Sequence, residues 1–342
     1  MKVVDLRSDT VTLPTQEMIQ SIIDAELGDD VSGEDPTVNK LENLAADMFG
    51  TEAALLVPSG TQSNLVSLMA HCRPGDEVIM EAESHVYFYE VGGMSAIAGL
   101  IPRLVKGKRG VFTPEQVQDA HRGYNIHFPN SSLVEIENTH NRAGGTIWKV
   151  EEVAAIARTA KDLDMAVHID GARIFNAAVA LNVSVKEYAR EVDSISFCLS
   201  KGLAAPVGSL IVGDEDFIKR ARKIRKMLGG GMRQAGIIAA PGIVALTKMV
   251  SRLEEDHRNA RRLASGLESI QDLSIDMESV QTNIVVVDVS NTGMDSVSFA
   301  ALAREKGVLV SIFGPRTVRF VTHYGIESTD IDETLSRIDS SF

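Results

Sequence analysis

Short apolar runs alternate with segments of helical period through most of the first 212 residues of this 342-residue chain. Apolar residues at positions 150, 153, 154, 157 and 160 follow the i, i+3, i+4, i+7 spacing of a half-buried helix. This alternation favours the α/β class, with a mostly parallel sheet covered by helices on both faces. Seven segments are predicted to be its strands: residues 53–57, 77–80, 100–105, 132–137, 165–169, 193–198 and 209–212.

The pattern changes near residue 237, where a long helical stretch extends to about residue 270. Three strands, at residues 283–289, 308–312 and 317–322, and two helices, at residues 295–306 and 328–338, are predicted beyond it. This tail is typical of a smaller α+β domain. We therefore expect a large domain over residues 1–248, including the N-terminal segment, and a small domain over residues 249–342.

Two predicted strands end in polar groups of opposite charge. The strand at 193–198 leads to Lys201, and the strand at 165–169 leads to Asp170. A lysine can form a Schiff base with pyridoxal 5'-phosphate (PLP), and an aspartate can keep the ring nitrogen protonated so that the ring accepts electrons. The pair therefore predicts a PLP enzyme that acts on amino acids.

Two glycine-containing turns could bind the phosphate of such a cofactor. Gly60 and Thr61 begin a helix after the strand at 53–57, where free backbone N–H groups attract an anion. Arg233 follows three successive glycines, and its guanidinium could clamp a phosphate. Taken alone, the first turn is more typical of an ordinary capped helix; beside Lys201 and Asp170, a phosphate site is favoured.

Several charged side chains could act on the substrate. His85 follows the strand at 77–80, where an imidazole could stack on a pyridine ring or act as a base. Arg173 lies three residues beyond Asp170, close enough to bind the same cofactor as well as a substrate carboxylate. Arg316 precedes a strand of the small domain and could bind a substrate carboxylate. For Arg316, a surface-loop arginine is an equally good interpretation.

The other histidines do not indicate a metal site, because no pair of histidines has metal-ligand spacing. We expect His127 and His140 at strand ends or turns that a ligand could reach, and His168 in the core. The surface is the expected place of His71, His121 and His257.

Composition excludes some partners and suggests a location. The formal net charge of −13 argues against a nucleic-acid or anionic-membrane surface, and no apolar run has the length of a membrane span. Cys72 and Cys198 lack CxxC spacing, so neither a disulfide framework nor a zinc site is expected. The charged N-terminus lacks the apolar core of a signal peptide. We expect a cytoplasmic protein with a small-molecule substrate.

Taken together, these motifs resemble the low-specificity L-threonine aldolases, PLP-dependent enzymes of the aspartate-aminotransferase fold (fold type I). Eight segments carry the resemblance, in order: residues 5–10, 28–30, 33–37, 59–61, 137–141, 168–173, 199–202 and 229–234.

The resemblance implies a role for each candidate residue. Lys201 would be the Schiff-base lysine, Asp170 the partner of the ring nitrogen and His85 the residue stacked on the ring. The phosphate would be held by Gly60, Thr61 and, from a neighbouring subunit, Arg233; the substrate would be bound by Ser8, His127, Arg173 and Arg316. Such enzymes are typically homotetramers, dimers of dimers with shared active sites.

The reaction implied by the resemblance is retro-aldol cleavage of L-threonine or L-allo-threonine to glycine and acetaldehyde. His85 is the first candidate for the base that removes the β-hydroxyl proton, and His127 or an ordered water is the next. Ser32 stands where the family often has an aromatic residue, so the preference for the β-substituent does not follow from the resemblance. The alternatives are a β-eliminating lyase, an aminotransferase and a non-catalytic protein of the same fold.

Overall fold

The computed structural model describes residues 2–340; Met1 and residues 341–342, at the ends of the two predicted domains, lie outside that range. The described residues contain twelve strands: β1 (Val4–Asp5), β2 (Ala53–Val57), β3 (Glu77–Glu81), β4 (Ile101–Val105), β5 (Ser131–Glu137), β6 (Ala166–Asp170), β7 (Ser194–Cys198), β8 (Ser209–Gly213), β9 (Ile284–Asp288), β10 (Val308–Leu309), β11 (Ser311–Ile312) and β12 (Thr317–Val321).

The same residues contain fourteen α-helices, two of them only four residues long. They are α1 (Gln16–Ile23), α2 (Pro36–Phe49), α3 (Gly60–His71), α4 (His85–Phe88), α5 (Gly93–Ala96), α6 (Pro114–Ala120), α7 (Val150–Asp162), α8 (Ile174–Leu181), α9 (Val185–Ala189), α10 (Glu215–Met227), α11 (Gly236–Val244), α12 (Leu253–Glu268), α13 (Ser296–Glu305) and α14 (Ser328–Asp339).

The seven strands predicted for the large domain form one sheet, in the order β2-β8-β7-β6-β5-β3-β4. Within it β8 runs antiparallel to β2 and β7, and the remaining pairs are parallel. Each predicted strand end lies within one residue of the observed end. The predicted α/β fold is confirmed.

Helices cover both faces of this sheet, which explains why its strands are continuous apolar runs rather than alternating ones. On β2, Ala54 and Leu56 pack in one core with residues of α2, α7 and α8. Leu55 and Val57, which point to the opposite face, pack against α3 and α10. The carboxyl ends of the parallel strands therefore remain as the accessible edge on which a site can be built.

The predicted small domain contains a second sheet, in which β12 lies between β11 and β9 and is antiparallel to both. The N-terminal strand β1 pairs in parallel with β10, and Val4 and Leu6 are buried in the small-domain core. The division into residues 1–248 and 249–342 stays a prediction, and we propose that residues 4–6 pack as part of the small domain.

The helical stretch predicted over residues 237–270 is broken. It consists of α11, a π-helical segment at Ala245–Met249 and, after a 67° bend, α12. The bend follows from the two cores: Leu246 and Met249 pack in the large-domain core, whereas Leu263 and Leu267 pack in the small-domain core.

Within residues 2–340, no single helix has the length and apolar composition of a membrane span. The segments Gly236–Met249 and Leu253–Glu268 meet those criteria only when they are taken together across their bend.

Candidate active site

A cleft of about 290 Å³ lies where the segments that follow β6 and β7 meet β11 and β12. Four residues predicted from the sequence line it: Ser8, His85, Arg173 and Lys201. Seven lining residues were not among the predicted site residues: Thr10, Tyr89, Asn141, Ser311, Ile312, Phe313 and Arg319. Larger surface clefts among the described residues, of about 620, 660, 590 and 420 Å³, do not include Lys201.

Asp170 ends β6 and is buried with its carboxylate held by neutral donors. Its Oδ2 accepts a hydrogen bond from Nδ2 of Asn64 at 2.8 Å, and its Oδ1 accepts one from the N–H of Ala172 at 3.1 Å. Ser196 in turn donates to Oδ1 of Asn64 at 3.0 Å and fixes the amide. No lysine or arginine within residues 2–340 forms an ion pair with Asp170. A buried carboxylate of this kind suits a cationic partner such as a protonated ring nitrogen.

His85 begins α4 and is positioned by two carboxylates. Its backbone N–H donates to Oε2 of Glu137 at 2.8 Å, and its Nδ1 lies 3.0 Å from Oε1 of Glu90. Burial opposes the charged imidazolium, but the hydrogen bond to Glu90 and the charges of Asp170 and Glu137 outweigh it. The pKa of His85 is therefore raised above its ordinary value.

His85, Glu90 and Asp170 place possible ligand atoms within 4.8 Å of one another, a spacing that could also hold a metal ion. The amide of Asn64 donates to both carboxylates at 2.8 Å, so a neutral donor already links them. The absence of a metal site stays a prediction from the sequence.

Arg173 lies in the turn between β6 and α8 and is paired with Asp9. Its Nε and Nη2 donate to the two carboxylate oxygens of Asp9, both at 2.7 Å, and both side chains are buried. Burial alone would raise the pKa of Asp9, but the guanidinium holds that pKa below its ordinary range. A guanidinium has five N–H groups, so Arg173 keeps the donors of Nη1 for an anion in the cleft.

Arg319, on β12, brings a second guanidinium into the cleft from the small domain. Its Nη1 donates to Oδ1 of Asn141 at 2.7 Å and its Nη2 to the carbonyl of Arg7 at 3.2 Å. The buried Nε has no hydrogen-bond partner among the described residues. Burial and then the positive charge of Arg173 lower the pKa of Arg319 to about 10. A carboxylate between the two arginines would relieve their repulsion.

Gly60 and Thr61 form the first turn of α3, with Ser59 as the N-cap that accepts from the N–H of Gln62 at 3.2 Å. A β-carbon on Gly60 would lie 2.9 Å from Sγ of Cys198, so a side chain at this position would displace its neighbours. The N-terminal turn of this twelve-residue helix lies at the positive end of the helix dipole, which suits a phosphate.

Six predicted site residues do not line the cleft within this chain: Asp170, Gly60 and Thr61, described above, and Arg316, His127 and Arg233. Arg316 is exposed and donates to the carbonyl of Met294 at 2.7 Å. His127 is exposed in the loop between α6 and β5. Arg233 is 63% exposed and forms an ion pair with Asp29 at 2.7 Å.

Arg319 is the main residue that the sequence reasoning missed. A signal was present, because Arg319 lies between Val318 and Phe320, which are both buried. A charge in the middle of an apolar strand indicates either an exposed face or a functional site. Asp9 and Glu90 gave no comparable local signal.

Comparison with known proteins agrees with this geometry. Residues 5–291 match the family described as beta-eliminating lyase. A probable low-specificity L-threonine aldolase 2 of Arabidopsis thaliana is 44% identical over 100% of this chain and 98% of its own length. The low specificity L-threonine aldolase of Escherichia coli K12 is 40% identical over 96% of both chains.

Solved structures confirm the fold. A Leishmania major threonine aldolase superposes with a TM-score of 0.84, at 18% identity, over 99% of both chains. A Thermus thermophilus aspartate aminotransferase double mutant superposes with a TM-score of 0.74, at 18% identity, over 100% of this chain and 92% of the other. By its full-length similarity to the first two proteins, the chain belongs to the low-specificity L-threonine aldolases, a family of pyridoxal phosphate-dependent lyases.

Proposed function

We propose that this chain cleaves L-threonine or L-allo-threonine to glycine and acetaldehyde in a reversible retro-aldol reaction. The observation that carries the proposal is that Lys201, His85, Arg173 and Arg319 line one cleft. They provide an amine for the cofactor aldehyde, an imidazole for proton transfer and two guanidinium groups for a carboxylate. The names of the two relatives support the same reaction.

The residues present fit PLP. Lys201 would hold its aldehyde, Asp170 its ring nitrogen, Gly60 and Thr61 its phosphate, and His85 would lie against its ring. Two observations support this fit: Asp170 is buried without a cationic partner among the described residues, and Gly60 leaves no room for a β-carbon beside Cys198. When bound, PLP supplies a cationic ring that stabilises the electron pair left on the α-carbon.

Arg173 and Arg319 would bind the α-carboxylate of the substrate, with the hydroxyl of Ser8 at the edge of the same cleft. Arg319 takes the place that the sequence suggested for Arg316, because Arg316 lies outside the cleft and bonds to Met294. Fixing the carboxylate orients the Cα–Cβ bond for cleavage, and positioning of this kind contributes several kcal/mol to catalysis.

His85 would accept the proton of the β-hydroxyl group. Glu90 accepts a hydrogen bond from Nδ1, which leaves Nε2 as the nitrogen that can take up a proton. His127 is exposed and lies outside the cleft within this chain, so an ordered water is the second candidate for the base.

The test combines cofactor trapping with product analysis. Borohydride reduction of the PLP-loaded protein, followed by peptide mapping, should label Lys201, and the unreduced protein should release acetaldehyde and glycine from L-threonine. The Lys201→Ala variant should do neither. Label on another lysine would contradict the assignment of the cofactor site, and label on Lys201 without acetaldehyde would contradict the aldolase reaction.

A β-eliminating lyase is the second candidate, because the matched family is described by that reaction. β-Elimination from L-serine would give pyruvate and ammonia, whereas aldol cleavage of L-threonine gives glycine and acetaldehyde. Measuring all four products with one enzyme preparation separates the two reactions, and aminotransferase activity would instead require an added keto acid.

We also propose a homotetramer with shared active sites. Arg233 lies outside the cleft of its own chain, and apolar side chains are exposed near it and on the N-terminal segment: Leu13, Ile23, Leu27, Val31, Met227 and Ile237. Light scattering should give four chains per particle. Co-expressed Lys201→Ala and Arg233→Ala chains should recover activity that each variant lacks alone; no recovery would argue against sharing.

A cytoplasmic location is part of the same proposal. Cys72 and Cys198 are free thiols, and both are buried, as expected in a reducing compartment. Fractionation of cells expressing the tagged chain, followed by immunoblotting, tests the location.

A further inference from the structure

One wall of the cleft is apolar and aromatic, and it faces the part of the substrate that varies. In the binding mode proposed above, the carboxylate points to Arg173 and Arg319 and the amino nitrogen to Lys201. The third substituent of the α-carbon, which is the β-carbon, then faces the rest of the lining. Besides the polar residues Thr10, Asn141 and Ser311, that part consists of His85, Tyr89, Ile312 and Phe313.

Phe313 lies at the turn between β11 and β12, and its backbone is fixed by the turn. The N–H groups of Phe313 and Gly314 both donate to the carbonyl of Thr317, at 3.0 and 3.1 Å. The side chain is half-buried and lines the cleft. A side chain on a tight turn of this kind has little freedom to move away from the ligand.

Two guanidinium groups hold the ring of Phe313. Cζ of Arg142 lies 5.0 Å and Cζ of Arg319 lies 5.2 Å from its centroid, both within cation–π range. Arg142 also lies 4.2 Å from the ring of Phe88 and donates to the hydroxyl of Tyr89 at 3.0 Å. It therefore ties α4 of the large domain to the β11–β12 turn of the small domain.

Resting on the proposed function, we infer that Phe313 is the residue that determines which β-substituents the enzyme accepts. Arg319 contacts both the site of the carboxylate and the ring of Phe313, so the ring has a defined position relative to the β-carbon. Ser32 lies in the short 3₁₀ helix Asp30–Ser32 and does not line the cleft of its own chain. Phe313 supplies an aromatic side chain from within the same chain.

The experiment compares two substrates in the holoenzyme. We expect Phe313→Ala to lower kcat/KM for L-threo-β-phenylserine about tenfold more than for L-threonine, because the aryl group loses an aromatic partner that the methyl group uses less. The Phe313→Leu variant should show a loss between those of the wild type and Phe313→Ala, since leucine keeps the apolar contact without the ring. Arg142→Met should shift the ratio of the two kcat/KM values in the same direction by a smaller factor. It removes one cation–π contact of the Phe313 ring but keeps the ring itself.

Glycine separates a specificity role from a merely structural one. It lacks a β-carbon, so its dissociation constant, followed by the absorbance of the cofactor, should be unchanged in Phe313→Ala. Tyr324→Ala is the matched control, because Tyr324 makes a similar cation–π contact with Arg252, at 5.2 Å, outside the cleft.

Three outcomes would overturn the inference. An equal change in kcat/KM for both substrates would show that the ring does not face the β-substituent. A parallel loss of glycine affinity would show that the ring only supports Arg319. A wild-type enzyme that cleaves neither substrate would overturn the proposed function as well.

Discussion

His85 takes its chemical character from a residue that the substrate does not touch. Glu90 is buried and accepts hydrogen bonds from both Nδ1 of His85 and Nδ2 of Asn64. Burial raises the pKa of Glu90, and the hydrogen bond from His85 only partly offsets this. A small change at Glu90 should therefore appear in the pH dependence of the reaction rather than only in its rate.

Replacing Glu90 with Gln should lower the pKa of His85, because the negative charge that raises it is removed. A base must be neutral to accept a proton, so the acid limb of the kcat/KM profile should move to lower pH. The rate at the optimum should fall about tenfold, a fraction of the ~10²–10⁴-fold that a general base contributes. Steady-state assays between pH 5 and 9 measure the acid limb of the profile and the rate at the optimum, with Glu305→Gln as a surface control. An acid limb at the wild-type pH would contradict the assignment of His85 as the base.

Asp170 should matter more for the rate than for cofactor binding. Asp170→Ala removes the charge that keeps the ring cationic, so kcat should fall about a hundredfold or more. The phosphate and Lys201 contacts remain, and the PLP content should fall much less. Absorbance of PLP released by alkali, compared with initial rates, gives the two losses, and equal losses would count against the electron-sink role.

At the scale of single elements, α3 joins the cofactor site to the core. Its first turn is the proposed phosphate site, and Gly60 in that turn packs directly on Cys198 at the end of β7. The apolar residues farther along the helix pack on the sheet. The position of the phosphate site is therefore determined by how closely α3 can approach β7.

Gly60→Ala should weaken PLP binding about tenfold, because its β-carbon would crowd Sγ of Cys198 at 2.9 Å and overpacking of this kind costs about 1–3 kcal/mol. Cys198→Ala in the same chain makes room and should restore much of the affinity. Cofactor titration of both single variants and the double variant gives the coupling. An additive double variant would show that the loss is not steric.

Two histidines, the half-buried His71 and the buried His168, join α3 to β6 and β7. Nε2 of His71 and Nδ1 of His168 lie 2.7 and 2.8 Å from the hydroxyl of Ser194. Burial lowers their pKa values to about 4 and about 3. The core place expected for His168 is confirmed, whereas the surface place expected for His257 is wrong: it is buried and bonds to Asn176 at 3.0 Å.

These pKa values predict an acid-sensitive fold. Between pH 6.5 and 4, the unfolded chain binds protons that the native histidines do not, so the free energy of unfolding should fall as the pH falls. His168→Asn should reduce that slope by about 1.4 kcal/mol per pH unit, the value for one proton. Urea unfolding at fixed protein concentration between pH 4.5 and 6.5 tests this; an unchanged slope would contradict it.

At the scale of the whole molecule, Asp9 connects three parts of the chain. It belongs to the N-terminal segment, pairs with Arg173 of the large domain and accepts from Nδ2 of Asn283 in the small domain at 3.4 Å. The preceding strand β1 is held by β10. The N-terminal segment therefore joins the two predicted domains beside the cleft, which Ser8 and Thr10 line.

Asp9→Asn should destabilise the protein by about 3–5 kcal/mol, because it leaves the buried Arg173 guanidinium without its counter-charge. Asp5→Asn is the matched control: the Asp5–Arg7 pair is largely exposed and should contribute at most about 1 kcal/mol. Urea midpoints of the holoenzyme compare the two variants. A similar loss of unfolding free energy in both variants would show that the Asp9–Arg173 pair does not hold the predicted domains together.

Local patterns in the sequence were sufficient for the elements and for the residues at strand ends. Apolar runs and helical periods marked the seven strands of the large sheet to within one residue, because burial on both faces leaves few polar positions in them. Lys201 and Asp170 were recognisable because charged groups directly after buried strands have few structural uses.

The tertiary structure decided what local patterns do not contain. Arg316 and Arg319 are three residues apart, and only the turn of β11 onto β12 decides which of them reaches the cleft. The bend before α12, the pairing of β1 with β10 and the contacts of Asp9 likewise depend on segments far apart in the chain. The spacing of apolar residues in a strand or helix depends on residues that are neighbours in the sequence. Contacts between distant side chains depend instead on how the two cores pack together.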